Sequence, residues 1–115
     1  MFTSLLVNAQ NNSLTPFEKG NKNQSTTYEE CVSFYQLLDT NSDKIEMKTM
    51  GLTDCGKPLH IVVFSENKDF SFNQNKAVLL VNNGIHPGEP DGIDATMMLM
   101  RDLTNAKIKV PKNTI

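Results

Sequence analysis

The residues Asn82-Asn83-Gly84-Ile85-His86-Pro87-Gly88-Glu89-Pro90-Asp91-Gly92 separate two segments of different character. Before them, Ala77-Val78-Leu79-Leu80-Val81 is apolar at every position. An apolar run of that length without alternation predicts a strand covered on both faces, as in the centre of an α/β sheet with helices on each side. After them, residues 93–103 predict a helix. Ala95, Met98, Leu99 and Asp102 or Leu103 continue one face, and Met97 and Met100 broaden it. The methionines read as core filler rather than as a cofactor box. Asp91 or Asp94 stands near the helix start, where a carboxylate complements the helix dipole. The loop therefore leaves the carboxyl end of a strand and enters a helix N-terminus, the place where open α/β sheets hold ligands.

Within that loop His86 and Glu89 are three residues apart, among three glycines and two prolines. An imidazole nitrogen and a carboxylate oxygen both coordinate zinc at about 2.0–2.2 Å, and a tight loop can bring both to one ion. Pro87 restricts the loop, while Gly84, Gly88 and Gly92 allow backbone angles that other residues resist. A His-x-x-Glu spacing is weak by itself; strand before, glycines around and helix after strengthen it. Two readings stand at this point: half of a zinc site, or a structural turn with an incidental His and Glu.

The rest of the chain supplies helices and a hairpin. Residues 11–24 are polar, with Pro16 and Gly20 as breakers, and predict an extended segment anchored by Leu14 and Phe17. Thr27 with Glu30, or Thr26 with Glu29, fits a capping box. Tyr28, Cys31, Val32, Tyr35 and Leu38 then form one apolar helical face that Phe34 and Leu37 widen, ended by the turn formers Asp39-Thr40-Asn41-Ser42. Ile45, Met47 and Thr49 alternate with Glu46, Lys48 and Met50, predicting a half-exposed edge strand. Residues 51–58 are a connection rich in turn formers, and Leu59-His60-Ile61-Val62-Val63-Phe64 is a second, more buried strand that pairs with the first. His60, alone in that strand, reads as structural. Residues 65–75 form a polar excursion anchored by Phe70 and Phe72, and residues 106–115 lead toward a further strand.

Composition limits the function classes. A chain of 115 residues, 38% hydrophobic and 21% charged, suits one small domain or a piece of a larger one. Eleven Lys and Arg against thirteen Asp and Glu give no basic excess for nucleic acid or an anionic membrane surface. No apolar run approaches the roughly 20 residues of a transmembrane helix. Cys31 and Cys55 lie far apart; Cys31 reads as a free, buried cysteine, and nothing in the sequence supports pairing them. At the start, Leu5-Leu6-Val7-Asn8-Ala9 before Gln10 resembles a signal-peptidase site, without a basic region or a full apolar core. Residues 1–9 are either the remnant of a longer signal peptide, implying a secreted or periplasmic protein, or a frayed terminus.

Three stretches carry a resemblance to the zinc carboxypeptidases of the carboxypeptidase A-like family. Thr26-Thr27-Tyr28-Glu29-Glu30-Cys31-Val32-Ser33-Phe34-Tyr35 is similar to the early helix of bacterial members. Gly51-Leu52-Thr53-Asp54-Cys55-Gly56-Lys57-Pro58-Leu59-His60-Ile61-Val62-Val63 is similar to their hairpin. Asn83-Gly84-Ile85-His86-Pro87-Gly88-Glu89-Pro90-Asp91-Gly92 is similar to the loop that supplies the first two zinc ligands. They occur in the family's order and spacing, over roughly residues 24 to 105.

The resemblance implies an α/β sandwich with a mixed central sheet, of which this chain is the N-terminal part. Residues 1–23 would be a leader or extended segment, and residues 24–115 an incomplete catalytic domain. It implies a metallopeptidase that removes the C-terminal residue of a peptide or protein, with Zn2+ as cofactor. His86 matches the first metal ligand and Glu89 the second. A second His ligand, a general-base Glu and the groups that hold the substrate carboxylate belong to a later part of the family's domain, so no catalytic base is assigned here. Between the ligands Pro87-Gly88 stands where digestive members carry an arginine, which removes that residue's role. Arg101 reads as solvent-facing. The chain alone is accordingly expected to be poorly stable, to bind zinc weakly and to lack peptidase activity. Two alternatives share the fold: an aspartoacylase-like zinc deacylase, and a non-catalytic binding domain.

Overall fold

The computed structural model describes residues 13–86 and 88–115; the signal-peptide-like start lies outside them. The described residues form an α/β domain with three helices, α1 (Pro16–Lys19), α2 (Tyr28–Asn41) and α3 (Asp91–Thr104), and one antiparallel sheet of two strands, β1 (Ile45–Leu52) and β2 (Pro58–Phe64).

Both α1 and α2 begin with a capping box. Thr27 Oγ1 accepts from the Glu30 N–H at 3.2 Å, and Glu30 Oε2 accepts from the Thr27 N–H at 2.9 Å. Thr15 and Glu18 repeat the device one helix earlier. Each box satisfies two backbone donors that a helix start otherwise leaves open. α1 is absent from the sequence expectation for residues 11–24: Pro16 is a breaker inside a helix, yet its fixed φ suits the first helical position, where it stands. Leu14, expected as an anchor, is exposed.

The hairpin pairs Ile45 with Phe64 and continues through Met47–Val62 and Thr49–His60 to a bulge before Gly51. Its buried end meets the helices. Phe34 and Leu38 of α2, Ile45 and Phe64 of the hairpin, and Met97 and Leu103 of α3 form the core, with Tyr35, Val62, Ile93 and Val110 packed around it. On both helices part of the expected face is buried, Leu38 on α2 and Leu103 on α3, and residues expected only to broaden it are buried with them. Phe34 is buried while Leu37 and Tyr28 are exposed; Met97 is buried while Ala95 is exposed. A stripe drawn from hydropathy alone cannot choose between adjacent rows; contact with the hairpin chooses. At the helix starts, Asp94 Oδ1 accepts from the Thr26 N–H at 3.3 Å, tying α3 to α2, and burial pushes the Asp94 carboxyl above its usual range.

Arg101 is a correction. Its side chain is 8% exposed and its Nη1 donates to Glu18 Oε2 at 2.5 Å and to the Ser13 carbonyl at 3.2 Å, with Nε on Asp102. One helical turn after Met97 it shares the core-facing row, and α1 folds over it. The two cysteines are free, Cys31 half-buried and Cys55 exposed, and burial together with the Asp94 charge pushes the Cys31 thiol up, away from reactivity.

Residues 77–81 depart furthest from expectation. They carry one isolated bridge, Ala77 to Thr114, in parallel sense. The Ala77 and Leu79 N–H groups donate to the carbonyls of Asn113 and Ile115, and the Ile115 N–H donates to Ala77, the slanted pattern of a parallel ladder. The path is that of an extended segment, a helix and a second segment returning in parallel sense, so residues 106–115 do lead to a short parallel pairing at 113–115. The expected burial does not follow: Leu79 is 71% and Leu80 84% exposed. A strand buried on both faces needs neighbours along both edges, and the described residues provide one, of three residues. In the excursion that precedes it, Phe72 is exposed rather than an anchor. The segment is held instead by Lys76, whose side chain is 6% exposed and whose ammonium donates to the Asp69 and Ser71 carbonyls and pairs with the Asp69 carboxylate.

Candidate metal centre

The loop between residues 81 and 91 is fixed at both ends by contacts to the first turns of α3. Gly84 has φ +66°, a left-handed angle, and a Cβ there would lie 2.5 Å from Ile93 Cδ1. Only glycine meets both conditions. At the other end Gly92 lies against Asn83: a Cβ would lie 2.6 Å from Asn83 Oδ1. Asn83 Nδ2 donates to Thr96 Oγ1, and Thr96 Oγ1 donates to the Gly92 carbonyl at 2.7 Å. Pro90 is the N-cap of α3, and its carbonyl accepts from the Ile93 and Asp94 N–H groups.

Between these fixed ends the structure brings His86 and Glu89 together. His86 Nδ1 lies 3.1 Å from Glu89 Oε2, and the two side chains are 67% and 64% exposed. A carboxylate oxygen only accepts, so the proton of this contact belongs to Nδ1. Two atoms bound to one tetrahedral zinc at about 2.0–2.2 Å stand about 3.3–3.6 Å apart. The pair is within a few tenths of an ångström of that spacing, and rotation of two exposed side chains covers the difference. The donor set, one neutral nitrogen and one anionic oxygen, suits zinc. It is also two ligands short of a closed tetrahedron and one short of a catalytic site. Among the described residues no group of three or more His, Cys, Asp or Glu is gathered to hold an ion.

The remaining sequence candidates are elsewhere. His60 lies in the hairpin with Nδ1 3.1 Å from Thr49 Oγ1, a cross-strand contact in keeping with its structural reading. Arg101 is engaged with Glu18. Asn83 and Thr96 were not singled out by sequence reasoning. A signal existed: Thr96 is four residues after Gly92, so it sits over that carbonyl on any regular helix.

Among the described residues no helix is long and apolar enough to cross a membrane. Comparison with protein-family models, with curated proteins and with solved structures finds no match to the chain.

Proposed function

We propose that residues 24–115 are part of a zinc carboxypeptidase domain, of the carboxypeptidase A-like sandwich fold, in which His86 and Glu89 are two of three protein ligands to Zn2+. The observation that carries the proposal is the convergence of His86 Nδ1 and Glu89 Oε2 to 3.1 Å on a loop that runs from an extended segment into α3. The crossover path around that loop and the three similar sequence stretches add support.

In this assignment His86 offers Nδ1 as its ligand atom, leaving Nε2 for an outer partner that fixes the ring. Glu89 contributes negative charge that offsets part of the ion's. Zinc, when bound, polarises a substrate carbonyl and acidifies water. Occupying Nδ1 places the ring proton on Nε2, and because only the neutral ring offers a lone pair, protons compete with the metal for it. A peptidase also needs a third ligand and a general base, and this assignment names neither among the described residues. The substrate is the C-terminus of a peptide or protein.

Two measurements test the proposal. Co2+ or Zn2+ is titrated into the 15N-labelled chain while the His86 ring is followed by NMR. Shifts at His86 Nδ1 and the Glu89 side chain are expected, abolished in His86→Ala; no response at millimolar metal removes the metal assignment. The natural polypeptide containing residues 1–115 is then assayed for release of free C-terminal amino acids from blocked peptides. Loss of that release in Glu89→Ala is expected, and no release by the wild-type polypeptide, with metal bound, removes the peptidase assignment.

A further inference from the structure

The contacts at the two ends of the loop have a bearing on the ligands between them. Thr96 has one hydroxyl proton and directs it to the Gly92 carbonyl. Its oxygen can then only accept from Asn83, so the Asn83 amide must present its NH2 to Thr96 and its carbonyl oxygen toward Gly92, as it does. Three side-chain and backbone groups thus form one directed chain: Asn83 Nδ2 to Thr96 Oγ1 to Gly92 carbonyl. The chain joins residue 83, before the ligand loop, to residues 92 and 96, after it. Gly84 packed on Ile93 forms a second join one residue further in.

We infer that Asn83 and Thr96 are positioning residues for the metal pair: they hold the two ends of the loop at the separation that brings His86 and Glu89 to one ion. The inference rests on the metal assignment proposed above. Neither residue contacts His86 or Glu89 in the structure, so their effect passes through the backbone of residues 84–92. A loop closed at its ends has fewer conformations to lose when its ligands are gathered, which favours binding without any new contact to the ion. Without the Asn83–Thr96 bond, Asn83 turns to solvent and the segment entering the loop is held less closely to α3, and the same ligands must be gathered from a wider set of conformations.

The test uses Thr96→Val, which keeps the shape and removes the hydroxyl, Thr96→Ser, which restores it, and Asn83→Ala. Co2+ affinity is measured from the His86 NMR response, with the amide spectrum of α3 as the control for folding. Thr96→Val and Asn83→Ala are expected to weaken Co2+ by about five- to tenfold, at the low end of outer-shell effects on metal sites, and Thr96→Ser by less than about twofold on the same scale. Without metal, amide exchange across residues 84–86 is expected to quicken in Thr96→Val and to return in Thr96→Ser. If folded Thr96→Val and Asn83→Ala bind Co2+ as the wild type does, the inference fails while the metal assignment stands. If the wild-type chain shows no metal response, the metal assignment fails with it. In that event unchanged loop exchange in Thr96→Val also refutes the loop-closing role itself.

Discussion

Replacing Arg101 by methionine removes a side chain by which α3 reaches α1. The guanidinium gives up Glu18 Oε2, the Ser13 carbonyl and Asp102 Oδ1. Glu18, only 21% exposed, retains the Thr15 N–H at 2.8 Å and gains no second donor. Breaking a buried ion pair by removing one partner costs about 3–5 kcal/mol. Glu18 can recover part of its hydration at this exposure, and methionine keeps most of the packing of the arginine stem, so about 2–3 kcal/mol is expected for Arg101→Met. Glu18→Gln preserves an acceptor toward both Thr15 and Arg101 and is expected to cost about 1 kcal/mol. The double variant should be less damaged than the sum of the singles, by about 1–2 kcal/mol, because the methionine no longer strands a carboxylate.

The pair also sets a pH dependence. Burial raises the Glu18 carboxyl, but Arg101 and the Thr15 amide outweigh it and hold it below its ordinary value of 4.5. A carboxylate with a depressed folded-state pKa contributes stability that is fully present above 4.5 and is lost as pH falls through the folded value. Asp102, held down by Arg101 against its own burial, acts in the same direction. Urea unfolding at low temperature, followed by circular dichroism at pH 7 and pH 3, measures both effects. The gap between wild type and Glu18→Gln should narrow at pH 3. An Arg101→Met variant within about 0.5 kcal/mol of wild type at pH 7, the range of an ordinary surface change, would refute the buried-pair account.

Thr27→Ala removes the hydroxyl of the α2 capping box and is expected to cost about 1 kcal/mol in the same urea experiment, while Thr27→Ser stays near wild type. Lys76→Met leaves the carbonyls of Asp69 and Ser71 without their ammonium donor; residues 66–75 should then be cut roughly tenfold faster by a nonspecific protease, with the α2 amides unchanged. Equal cutting of wild type and variant would show that Lys76 does not hold the excursion.

The elements legible in the sequence were those whose cause is local. The Thr27–Glu30 box, the alternation that made β1 and β2 a hairpin, and the helix after the loop all follow from residues within a few positions of one another. The bringing together of His86 and Glu89 belongs to this class, being three residues apart. Arg101 does not. Its partner Glu18 is 83 positions away, on a single-turn helix that the sequence read as a loop, and a lone arginine on an amphipathic helix is solvent-facing by default. The run 77–81 fails for a related reason. Its composition states that it is suited to burial on both faces, and composition cannot state which neighbours deliver that burial. Leu38 and Leu103 are buried on the faces the sequence outlines, while Phe34 and Met97, at the margins of those faces, are buried because the hairpin packs there.

That division has a consequence for how the candidate site depends on the fold. The ligands, the glycines and the Asn83–Thr96–Gly92 chain all lie within residues 83–96, and these contacts are made within the loop or to the first turns of α3. α3 is anchored mainly further along, by Met97 and Leu103 in the core and Arg101 against α1, with Ile93 touching both the core and Gly84. Energy lost at Arg101 therefore comes from the attachment of α1 and not from the loop. Arg101→Met, below its unfolding transition, should leave the His86 ring signals in place while it lowers the urea midpoint. Thr96→Val should do the reverse, moving the ring signals more than the midpoint. Geometry at the metal pair is in this sense a property of one loop and one helix, and the wider fold acts on it through the persistence of α3.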